Sequence, residues 1–495
     1  MSIGYPSVIA LCILAIGLLS SRPILFYSFF AAGAFGSLSI LPTDSIGGMT
    51  LLPQPIFALA LLAKTISEPG AIPQGLRLVD DWGKLGLLFA FLAAGIVITM
   101  IAPKLFVGQI IITPMRLTGT TDLETDVLVP NSANMTQLAY LTLSILTALT
   151  FAILAKHADF LKRLPLALLI GGIVLFLTGV ADWVAGSSGA LEPFRNASYA
   201  LLTNAEVLDM KRVVGLMPEA SAFGPACVAM AAFLIFLRAA MPGCGLGMPM
   251  LVTGYLLLGM AVMSTSSTAY VALAVFGAIY GASLLLRGVA PARQPGAASS
   301  FGLELLVIGL LFIAGIIALF AVHGLTDTIS NLLNDIIFQK GQSASYYGRK
   351  SWTDTSLGAF FASYGLGVGI GSTRTSSWAV AVLSSTGIIG TALLAAFFVR
   401  LFITRAKDPD SPAASTITAL KLALPCALAP MAISGTMVDF GSGVAAIFGI
   451  VIGLAARDEE EPSPKKRIIP GPVRRTSGRD MTTGFEAKKA RPQRA

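Results

Sequence analysis

The chain has 495 residues, of which 55% are hydrophobic and only 12% charged, and its mean hydropathy is +0.78. A soluble domain carries about a quarter charged residues, so a large water-soluble body is excluded. The formal charge of +8 does not point to nucleic acid, because residues 457–495 alone hold eleven Lys/Arg against six Asp/Glu. Such a tail beside a last membrane helix marks the cytoplasmic side or meets anionic lipid.

The remaining charges fall between apolar runs of about 18–25 residues, each long enough to cross the hydrocarbon core as a helix. Thirteen candidate spans follow in chain order. They lie near 6–21, 23–41, 49–66, 84–102, 137–155, 164–183, 221–240, 248–264, 266–286, 302–323, 379–403, 416–434 and 437–455. The fold class expected is all-α: a polytopic helical membrane domain over 1–456, followed by a basic, disordered cytoplasmic tail over 457–495. No positive segment precedes the first run, whose first charge is Arg22. It reads as a retained first helix rather than a signal peptide.

Lys/Arg bias orients the spans. One side holds twenty-four of the 34 Lys/Arg and the other nine, with Lys421 inside a span. An odd number of spans then places the C-terminus in the cytoplasm and the N-terminus outside. Three long loops, about 104–136, 184–220 and 324–378, face the outside, and loops of that length are where chemistry is expected. The four cysteines, Cys12, Cys227, Cys244 and Cys426, form no CxxC pair, so neither a disulfide framework nor a zinc site is indicated.

Two stretches stand out. The second long outside loop ends in RVVGLMPEASAFG (Arg212–Gly224). There an arginine, a glycine turn and a Pro-Glu pair run into a membrane helix. Glu219 or Ser221 would serve equally as a cap for the early N–H groups of that helix. The third loop carries Tyr346, Tyr347, Arg349 and Trp352. It ends with Gly365, Gly367, Gly369 and Gly371 at alternate positions, followed by Arg374. Glycines spaced in this way let backbone approach a ligand closely, or pack helices through small residues. Arginines beside aromatics on the outer face suit an anion.

In these stretches the chain resembles the superfamily of O-antigen polymerases, O-antigen ligases and exopolysaccharide polymerases, bacterial multi-span enzymes, which implies a bacterial inner membrane with the outer loops in the periplasm. The resemblance rests on Arg212–Gly224, on MSTSSTAYVAL (Met263–Leu273) and on the block from Arg349 to Gly390. It covers roughly residues 130–455. Ala220 stands where the exopolysaccharide polymerases usually have proline. The His-Asn pair usual in ligases is replaced by Arg374-Thr375-Ser376-Ser377, which favours polymerase over ligase.

The resemblance implies a metal-independent, cofactor-free glycosyltransferase. It would transfer glycan from undecaprenyl diphosphate to a hydroxyl of another lipid-linked repeat unit. Its expected partners are that lipid-linked oligosaccharide, membrane lipid, and chain-length regulator and export proteins. Arg212, Arg349 and Arg374 are expected to hold the diphosphate, in the absence of any Asp-x-Asp or histidine cluster. Glu219, then His323, are candidates for the base. Tyr346, Tyr347 and Trp352 would stack on sugar rings or anchor the membrane interface. A transporter, the rival class, would instead place ionisable groups within spans; Lys421 and Glu304 are the few candidates.

Overall fold

The computed structural model describes residues 4–20, 23–41, 50–115, 125–186, 188–199, 201–203, 206–207, 210–241, 243–289, 302, 304–306, 309–310, 313 and 344–460. Fourteen helices account for most of them. The N-terminal group is α1 (Tyr5–Leu19), α2 (Ile24–Ala32), α3 (Pro53–Ile66), α4 (Ala71–Asp80) and α5 (Gly86–Leu105). The central group is α6 (Ser132–Leu154), α7 (Phe160–Ala185), α8 (Ala220–Ala240), α9 (Gly247–Met263) and α10 (Ser267–Val289). The C-terminal group is α11 (Ala344–Ala362), α12 (Trp378–Ile403), α13 (Pro412–Ser434) and α14 (Gly441–Glu460). Two hairpins, β1 (Ile111–Ile112) with β2 (Asp126–Val127) and β3 (Glu206–Val207) with β4 (Met210–Lys211), are antiparallel.

Seven of the described helices, α5, α6, α7, α8, α10, α12 and α13, are long and apolar enough to cross a bilayer. The chain is thus a helical membrane protein. An eighth span is made if α3 and α4, bent 111° apart, are counted as one; the break falls at Gly70, whose φ of +82° needs glycine. Helices α1, α9 and the apolar part of α14 are shorter.

This departs from thirteen regular crossings. The run at 23–41 is the nine-residue α2 followed by turns. Its apolar content is used sideways: Phe26, Phe29 and Phe30 pack on Phe151 of α6, with ring centroids 4.8–5.9 Å apart. The span at 302–323 and the tail beyond 460 lie largely or wholly outside the described residues. Conversely, α11 forms a 19-residue helix inside what reads as the third loop.

The tightest helix pair is α14 on α6. Gly449 and Gly453, one turn apart, lie against the backbone of Ala148 and Ala152. A Cβ on either would come within 2.1 Å and 2.3 Å of a carbonyl oxygen. Small residues at this spacing let helix backbones meet, which is how apolar helices gain contact energy in lipid.

Helix α12 is broken nine residues in. Gly387 has φ +64° and ψ −166° inside it, and the gap is filled by the glycine-rich segment. Val368 N and Gly369 N donate to the carbonyls of Ser384 and Ser385 at 2.8 Å and 3.0 Å, and Ile388 N donates to Gly365 O at 3.0 Å.

Candidate functional site

Lys211 closes the β4 hairpin and Arg212 follows it against the α9–α10 turn. Arg212 Nε donates to Ser264 O at 3.2 Å, and Val213 N to Met263 O at 3.3 Å. That turn is tight: Thr265 has φ +43°, and Gly224 of α8 fits against it. A Cβ there would lie 2.3 Å from Ser264 Oγ. The stretches Arg212–Gly224 and Met263–Leu273 are therefore packed together, although about fifty residues separate them in the chain.

Glu219 is half-buried and forms the N-cap position of α8 in extended backbone, without a side-chain capping bond. Its carboxylate instead accepts from Ser221 Oγ. Ser221 O accepts from Thr268 Oγ1 at 3.3 Å, and Thr268 exchanges a hydrogen bond with Ser266 at 2.8 Å. The Ser221 hydroxyl thus orients the carboxylate, and Thr268 holds the Ser221 backbone.

Arg212 lies in the electrostatic field of both Glu219 and Arg349. Burial lowers its pKa; Glu219 raises it, Arg349 lowers it and Tyr270 raises it, with a net shift below the ordinary arginine value. Arg212 thus lies within electrostatic reach of a second guanidinium, Arg349, and of one carboxylate, Glu219, all three half-buried. Among these described groups positive charge is in excess.

Arg374 is placed differently. Its guanidinium carbon lies 4.0 Å from the ring centroid of Trp352, a cation–π stack. Trp352 is only 7% exposed, so a guanidinium rather than a sugar covers its face. Tyr346 and Tyr347, one and a half turns earlier on α11, are 42% and 58% exposed and remain accessible. The backbone around Arg374 is stitched in place: its N donates to Thr113 O at 2.8 Å, and its carbonyl accepts from Ser356 Oγ at 2.9 Å. His323 lies outside the described residues.

Gly365, Gly367, Gly369 and Gly371 all have φ between +78° and +91°, and their close neighbours are protein. A Cβ would meet Gly387 N from Gly367, the Thr99 backbone from Gly369 and Ala133 O from Gly371. Asn134 of α6 fastens the end of the segment, donating to Ile370 O and Ser372 Oγ at 2.8 Å each. The stretch is a packed joint between α5, α6 and α12, which holds α11 and Arg374 at one end of the bundle.

Asp182 is a key residue that sequence reading missed. It is fully buried near the end of α7 and accepts from Arg195 at 2.7 Å, Lys211 at 3.0 Å, Val214 N at 2.7 Å and Gly215 N at 3.1 Å. This clasp pins both ends of the second loop and delivers Arg212 to the α9–α10 turn. A second buried acid, Glu304, pairs with Arg238 and, at 2.9 Å, with Arg287, and accepts from Tyr280 OH at 3.1 Å. Lys421 donates to Thr404 O at 2.7 Å. Each of these two ionisable groups, the ones a transporter would use, is engaged by neighbouring helices. Asp439, half-buried in the turn before α14, accepts from Gly441 N at 3.2 Å.

No family model matches this chain, and neither a curated protein nor a solved structure matches it.

Proposed function

We propose that the chain is a bacterial inner-membrane glycosyltransferase that polymerises a surface or exopolysaccharide. It moves glycan from undecaprenyl diphosphate to a hydroxyl of another lipid-linked repeat unit at the periplasmic face. The observation that carries this reading is that half-buried Arg212 lies within electrostatic reach of both Arg349 and Glu219. Breaking a sugar–diphosphate bond releases negative charge on the leaving oxygen, and preorganised guanidiniums stabilise charge that develops in the transition state.

In this mechanism the acceptor hydroxyl attacks the anomeric carbon as the bond to the diphosphate oxygen breaks. The hydroxyl proton passes to Glu219, whose orientation is set by Ser221. Arg212 and Arg349 take the diphosphate. Arg374, held on Trp352, acts as a positioning residue for α11. The polymerase reading is preferred to ligase because Arg374-Thr375-Ser376-Ser377 replaces the His-Asn pair of ligases.

The deciding experiment uses the purified full chain in lipid nanodiscs. It is supplied with undecaprenyl-diphosphate-linked repeat units and no other protein. Growth of lipid-linked polymer with release of undecaprenyl diphosphate is expected. Folded protein that leaves single repeats unextended would exclude a self-sufficient polymerase.

A further inference from the structure

At the other end of α12 from Trp378 lies a cleft of about 280 Å³, near the lower limit of small-ligand sites. The last turn of α12, the Gly83–Lys84 turn before α5 and the last turns of α14 enclose it. Lys84, Arg400 and Arg405 supply the charge, and Ile403, Ile452 and Ala455 the apolar wall. Asp81, 3.1 Å from Lys84, is the nearby acid. Its carboxyl is held below the ordinary value: burial raises it, but Gly83 N–H and Lys84, helped by Arg400, outweigh that. Among the described side chains at the cleft the cations thus outnumber the carboxylate, and the exposed guanidiniums of Arg400 and Arg405 make no hydrogen bond or salt bridge to another described residue. Nor are they spent on the helix terminus, since Lys421 already caps Thr404 O.

The same turn sends Val399, Phe402 and Ile403 outward, 61%, 38% and 57% exposed. Apolar side chains directly beside unpaired arginines match a molecule with an anionic head and an apolar tail. We infer that this cleft binds the phosphate of an anionic phospholipid, with the acyl chains lying along Val399, Phe402 and Ile403. A free phosphate shares the head chemistry but gains nothing from the apolar strip. The site is independent of the Arg212 region, at the opposite end of the bundle.

The test is lipid retention by the full-length detergent-purified protein, read by native mass spectrometry. Phosphatidylglycerol and phosphatidylcholine are titrated, with inorganic phosphate as a competitor. Phosphatidylglycerol is expected to bind about ten-fold tighter than phosphatidylcholine, and R400Q/R405Q to abolish that preference. K162Q, which removes an exposed cation in the first turn of α7, should change nothing. R405Q alone, beyond the end of α12, secures the result if the double variant aggregates, and should lower the preference roughly three-fold. Equal retention of both lipids overturns the inference. So does an unchanged preference in a folded double variant, or in R405Q should the double variant aggregate, and so does full displacement by an equal concentration of inorganic phosphate.

Discussion

Lys211 and Arg212 are neighbours in sequence and belong to different networks. Lys211 serves the Asp182 clasp, whereas Arg212 turns to the α9–α10 turn and shares the field of Glu219 and Arg349. Their variants should separate accordingly. R212A and R349A are expected to lose about 2–4 kcal/mol of transition-state stabilisation, a rate loss of roughly 30- to 1,000-fold, at normal membrane abundance. The lysine replacements should fall between these and the parent, because charge survives and the planar fork does not. Polymer length beside immunoblotted protein level reads this, and long polymer made at the parent rate by both alanine variants would sink the diphosphate role. D182N should behave in the opposite way. It leaves Arg195 and Lys211 without a buried counter-charge, at a cost of about 3–5 kcal/mol. Its signature is loss of detergent-extractable protein rather than of specific activity. Arg212 was legible in the sequence because a Pro-Glu helix start follows it. Asp182 was not, since a single acid near the end of an apolar run carries no sign of which distant cations will reach it.

Among the helices, those with long uninterrupted apolar runs are legible to within five residues at either end, as α5 through α8 show. Misreadings came where apolar content had another use. Helix α2 spends its phenylalanines on α6 and α7, and hydropathy alone cannot tell a ring cluster from a lipid-facing surface. The glycines at 365–371 were legible as a place of close approach, but what they approach, the break in α12, depends on contacts with α5 and α6. The α14–α6 seam gives the test at this scale. G449V must push a side chain into Ala148 O, and overpacking of this kind costs about 1–3 kcal/mol. A lowered melting temperature of the purified protein is expected; an unchanged one would mean that the two helices do not meet as tightly as described.

At the scale of the molecule, charge asymmetry predicts that residues 290–300 face the cytoplasm and 324–378 the periplasm. In a cysteine-free background, S343C should react with an impermeant thiol reagent in whole cells and S299C only after lysis. The reverse pattern would invert the topology and remove Arg212 from the periplasm. Truncation after Asp458 should leave polymerisation intact, because the tail has too little apolar content to fold; lost activity with normal insertion would give the tail a role. The break at Gly387 bears on how such a chain is made. Bending α12 about 14 Å from its start frees the carbonyls of Ser384 and Ser385, and residues 368–369 are what satisfy them. Those residues leave the ribosome before α12 does. The span is thus synthesised with its own plug already in hand, and the translocon must release the two together as one unit, since α12 entering lipid alone would carry bare backbone into the hydrocarbon.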